Sequence, residues 1–129
     1  LLFSGIIFKG GKMDQKHHRA VEGDEVWVAL NHVNADKWEE HKDFVLNILI
    51  PAAEKIVPTE MANTRFLVPD DSNEDGTFTS IFLMDPVIRD GNYDILDILK
   101  KEYGEEQAEQ YFKRWVVDQV GFNVKQSPW

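Results

Sequence analysis

His41 is the residue to which chemistry is most readily assigned in this chain, because it falls on the apolar stripe of a predicted helix where a leucine would pack better. A neutral imidazole held there can serve as a general base or an axial metal ligand. The plainer role is a core histidine satisfied by one hydrogen-bond partner. Asn31 and His32 lie upstream, at the carboxyl end of a predicted strand. Successive strand side chains point to opposite faces, so only one of the two can share space with His41. If the even-numbered side chains face the helices it is His32. If the odd ones do it is Asn31, and His32 faces a partner subunit. His41, Asn31 and His32 are therefore the candidate catalytic residues. Trp38, Phe78, Trp115 and Gln119 are the candidate ligand-binding residues, a mixture of aromatic walls and a polar group typical of small-molecule pockets, although tryptophans also fill cores.

Other signals are weaker. Two histidines without a carboxylate of assured placement make only a weak metal signal, so no metal ligand and no cofactor are expected; a haem held by one axial histidine is the alternative. Asp71 to Gly76 begins like a calcium loop, but Phe82 stands where the bidentate glutamate belongs, so this stretch reads as a hairpin turn. No phosphate-cradling glycine loop, GxSxG elbow or HExxH motif is present.

The elements that must position these side chains begin at Glu25. Val26 to Leu30 is nearly continuous in apolar residues, as in a strand buried on both faces. Asn34 is a natural N-cap, and Trp38, His41, Val45, Ile48, Leu49, Ala52 and Ile56 then recur at helical spacing, opposite Glu39, Glu40 and Asp43. Pro51 has no amide hydrogen and crowds the Asn47 carbonyl, which predicts a kink or a restart with Pro51 in the first turn of a second helix. Thr64 to Val68 and Thr77 to Asp85 form a predicted hairpin around the polar turn 70–76. A helix follows over Asp94 to Tyr103, then Gly104, then a stronger helix with Ala108, Tyr111, Phe112, Trp115, Val116 and Gln119 on one stripe. Gly121 caps it, and Phe122 to Gln126 is a last strand.

This order, β-α-β-β-α-β, defines an α+β fold of ferredoxin-like type: a four-stranded antiparallel sheet with two helices on one face. Because the strands read as apolar on both faces, a second copy of the chain is the simplest cover for the bare side. The topology brings the end of the first strand, the start of the first helix, the end of the last helix and the start of the third strand to one rim. Asn31, His32, Trp38, His41, Phe78, Ser80, Trp115, Gln119 and Phe122 are thereby expected near one another.

At 129 residues with 43% hydrophobic and 29% charged side chains, the chain has the composition of one globular domain. Its 14 basic and 23 acidic residues give a net charge of −9, which opposes binding to nucleic acid or an anionic membrane surface. There is no cysteine, hence no disulfide or thiolate chemistry; the compartment stays open, with the cytoplasm as the working expectation. Residues 1–24 read as an N-terminal arm and polar linker, and 25–129 as the domain. The apolar LLFSGIIF is far short of a membrane span and reads either as the end of a secretory signal or, as expected here, as an extra strand or dimer arm over Phe3 to Lys9.

The pattern VWVALNHV, ADKWEEHKDFVLNIL, TRFLV to TFTSIFLM, EEQAEQYFKRWVVDQ and FNVKQ resembles the dimeric α/β-barrel superfamily, which includes the antibiotic-biosynthesis-type monooxygenases. The resemblance implies a homodimer holding a small apolar or aromatic molecule between sheet and helices. It also implies the option of cofactor-independent oxygenation, with Asn31 or His32 and His41 handling a proton while Trp38 and Trp115 exclude water. A non-catalytic ligand-binding or accessory dimer is the alternative.

Overall fold

The computed structural model describes residues 19–119 and 127–128. The chain is α+β, with antiparallel strands β1 (Trp27–Val33), β2 (Thr64–Leu67) and β3 (Phe78–Met84) in the spatial order β2-β3-β1. Asn31 lies opposite Ser80 and Thr64 opposite Met84. The two-residue strand β4 (Ser127–Pro128) pairs antiparallel with Trp27 and Val28 on the other edge of β1. The N-terminal arm over Phe3 to Lys9, the Gly121 cap and the strand expected over Phe122 to Gln126 lie outside the described residues.

Strand β1 is not buried evenly on both sides. Ala29, Asn31 and Val33 are buried, whereas Leu30 and His32 are exposed. The odd-numbered side chains thus face the helices, the alternative that hydrophobic pattern left open. Phe66 and Phe82 lie on the same inner face and pack against a core of Phe44, Val45, Leu49, Leu99, Ala108 and Trp115. The opposite face carries Leu30 and Leu67, which are 53% and 38% exposed.

The first helical stretch is one path with a defect in it. A 3-10 turn (Ala35–Lys37) leads into α1 (Trp38–Phe44), a wider π turn over Val45–Leu49, and α2 (Ile50–Ile56). In the wide turn the Ile50 amide reaches back five residues to the Val45 carbonyl. Pro51 then sits in the first turn of α2, where its missing donor is tolerated. Proline thus restarts the helix, as the sequence predicts, and the chain absorbs the crowding by loosening one turn instead of breaking.

A short helix α3 (Pro58–Ala62) precedes β2; α4 (Ile95–Tyr103) and α5 (Glu105–Val117) follow β3. The Asp94 side chain caps α4 by accepting from the Asp97 amide at 3.1 Å. Gly104 separates α4 from α5 at φ 88 and ψ 165, a conformation closed to side-chain-bearing residues. A methyl added there would meet nothing within 4 Å, so any penalty is purely conformational. Gly104→Ala is expected to lower stability by about 1–3 kcal/mol, read as a shift of the urea midpoint with an unchanged slope; no shift would mean that the turn relaxes.

Candidate functional site

Ser80, at the centre of β3, sits between the side chains that the sequence singles out. The Asn31 amide donates to Ser80 Oγ at 3.2 Å, and Ser80 Oγ lies 2.9 Å from His41 Nε2. The Ser80 hydroxyl can donate to Nε2 or accept from Nε2–H, so this bond is compatible with either imidazole tautomer. Asn31, His41 and Ser80 are all buried, His41 at 1% exposure. Burial lowers the His41 pKa from 6.5 to about 4, so the ring is neutral at physiological pH.

Rings enclose the imidazole. Phe78 stacks on Trp38 at 5.0 Å and 7°, Trp38 on His41 at 5.6 Å and 18°, and His41 on Trp115 at 5.4 Å and 23°. These four rings form a continuous column from the hairpin end of β3 to α5. Trp38 and Trp115 are buried; Phe78, the outermost, is half-buried. Trp38 and His41 share a face because they stand three residues apart on α1, while α5 brings Trp115 over the same spot.

The other expected residues are not part of this cluster. His32 lies on the outer sheet face, with Nδ1 2.8 Å from Thr79 Oγ1. Gln119 donates to the Trp115 carbonyl at 3.0 Å and its backbone bridges to Val33, so it ties the end of α5 to β1 without entering the ring column. Phe122 lies outside the described residues. A haem does not fit at His41, because Ser80 occupies Nε2 and indole rings lie against the imidazole. Among the described residues no group of three or more histidine, aspartate or glutamate side chains is placed to hold a metal.

Ser80 and His41 resemble the nucleophile and base of an acyl-transfer site, but the hydroxyl is fully buried and no carboxylate orients Nδ1. His41 Nδ1 has no hydrogen-bond partner, nor do Trp27 Nε1 and Asp118 Oδ1, among the described residues. A buried polar atom left unpaired in this way costs about 1–3 kcal/mol.

Asp118 is the residue that sequence reasoning missed. It follows α5, is 1% exposed, and accepts the Asn34 amide on its backbone carbonyl at 3.3 Å. Burial first, then the hydrogen bond and charge of Glu40, push its carboxyl up to about 6. The available signal was an acidic residue at a helix carboxyl end, where the helix dipole disfavours negative charge. A second feature, an apolar cleft at the far end of the sheet, was also unforeseen; the small side chain of Ala53, which lines it, was its trace in the sequence.

Comparison with protein-family models, with curated proteins and with solved structures finds no match for this chain. No helix among the described residues is long and apolar enough to cross a membrane.

The two perturbed groups oppose each other in acid. His41, with a folded pKa below its unfolded value, contributes stability that is complete above pH 6.5 and lost as pH falls toward 4, about 3 kcal/mol in all. Asp118, with its pKa raised, contributes stability that is complete below pH 3.8 and lost as pH rises through 6. Relative to the parent chain, His41→Gln should therefore gain stability on acidification from pH 6.5 to 4, and Asp118→Asn should lose it. Urea titrations across that window give both slopes; parallel profiles would refute the assignment.

Proposed function

We propose that this chain is a homodimeric, ferredoxin-like protein of the dimeric α/β-barrel type that holds a small, flat, mostly aromatic or apolar molecule at the outer end of the ring column. The order β2-β3-β1, with Ser127–Pro128 paired beyond β1, supports the ferredoxin-like reading. The outer sheet face supports the dimer. Opposed residues share a face, so Val28 and Leu83, and Leu30, Ile81 and Leu67, form one aliphatic surface edged by Arg65, His32 and Thr79. A second copy packed on that surface would remove it from water.

The observation that carries the ligand reading is the column itself. Phe78 lies flat on Trp38 at its half-buried end, so a planar molecule can take its place against the indole once the phenyl ring swings out. Stacking of this kind is worth about 0.5–1.5 kcal/mol beyond the area buried. The reading is of a binding protein. A base with its pKa lowered to about 4 is poorly matched to proton abstraction at neutral pH.

The oxygenase reading has one observation in its favour, the His41 Nδ1 that no described protein group engages. In that reading the imidazole carries its hydrogen on Nε2 and takes the proton of a quinol-type substrate on Nδ1, Asn31 holds the developing oxyanion, and the carbanion adds dioxygen to give a peroxide anion that takes the proton back as a hydroperoxide.

Phe78→Ala should strengthen binding of 2-naphthol several-fold, read by tryptophan fluorescence, because the competing ring is gone. An unchanged affinity would remove the column as the site. The chain should elute as a dimer, and Leu30→Glu should convert it to a monomer; a monomeric parent chain would remove the barrel. If oxygenation of any quinol is found, its survival in His41→Ala would exclude the imidazole as base.

A further inference from the structure

At the other end of the space between sheet and helices the side chains part. Met84 is four residues beyond Ser80 on the same face of β3, about 13 Å along the strand. There Leu49, Ala53, Met61, Met84, Tyr93 and Ile98 line a cleft with room of about 70 Å³. That is less than the roughly 150 Å³ that accommodates benzene in an engineered apolar cavity. The enclosed part of the cleft has room for a short aliphatic chain.

The polar groups of the wall are nearly all committed. Tyr93 Oη accepts the Ile88 amide at 2.8 Å, and Thr64 Oγ1 donates to the Glu60 carbonyl at 2.8 Å. The Asn92 side chain donates to Asp97 and accepts from the Asp94 amide. Glu60 differs: its Oε2 accepts the Asn92 amide at 2.8 Å, which leaves the other carboxylate oxygen for a ligand. The turn closes tightly on this side chain. A Cβ at Gly91 would stand 2.9 Å from Glu60 Cγ, so only glycine permits the approach.

A narrow apolar cleft with the Glu60 carboxylate at its edge, in a chain of net charge −9, favours positive charge on an aliphatic body. We infer that this cleft is a second binding site, distinct from the ring column, for a short primary alkylammonium ion whose chain lies among Ala53, Met84 and Ile98 and whose head group pairs with Glu60. An anionic head group is repelled by the same carboxylate. A neutral alcohol gains the burial without the charge pairing.

The test is titration of the full chain with n-butylammonium, n-butanol and butyrate at equal ionic strength, following the methyl signals of methyl-labelled methionines. Butylammonium is expected to shift the Met61 and Met84 signals and to bind roughly two- to fivefold tighter than butanol, the range of a solvent-exposed ion pair. Butyrate is expected not to bind. Glu60→Gln, which can still accept the Asn92 amide, should bring butylammonium down to the level of butanol. Ala53→Leu should weaken both. Equal binding of the three probes, no binding of butylammonium, or a preference that survives Glu60→Gln would each overturn the inference. The Glu60→Gln comparison decides the matter even if Ala53→Leu fails to fold.

Discussion

The Ser80 hydroxyl is the point on which the interior depends. It is fully buried and joins β3 to Asn31 on β1 and to His41 on α1. The neighbouring elements β1 and α1 are thereby held in register with β3, 49 and 39 residues further along the chain from Asn31 and His41. Hydrophobic packing alone tolerates sliding between a sheet and a helix, whereas hydrogen bonds of this length do not. The register in turn places Trp38 and Phe78 in contact, sets the imidazole against Trp115, and leaves His32 on the other face.

Much of the architecture was legible because it rests on local rules. Asp94 and Gly104 mark the ends of α4 through capping and a conformation that glycine alone adopts, and Pro51 marks the restart at α2 through its missing donor. The candidate site was legible in part. His41 betrayed itself as a polar residue on an apolar stripe, and the topology brought Ser80, Trp38, Phe78 and Trp115 to it. Which of Asn31 and His32 faced inward was not legible. Val28, Leu30, Ile81 and Leu83 are as apolar as the residues that face the core, so composition carried no sign of the difference.

Asp118 and the cleft were beyond sequence reasoning for a different reason. Both arise from distances between elements rather than from patterns within one. Asp118 is buried because the end of α5 meets Asn34 and Glu40, and the cleft lies where the small side chain of Ala53 on α2 shares a wall with Met84 and Ile98. No periodicity reports a gap between two surfaces.

The wide turn at Val45–Leu49 has a consequence for how the molecule can change. It inserts phase into a helix whose upstream half presents Trp38, His41 and Phe44 to aromatic partners and whose downstream half presents Ala52 and Ala53 to aliphatic ones. Tightening that turn to regular α geometry would rotate one half relative to the other by most of a right angle. The turn therefore acts as a mechanical coupling between two otherwise separate halves. Substitutions can accumulate at either end independently, whereas insertions or deletions between Trp38 and Ile56 disturb both ends at once.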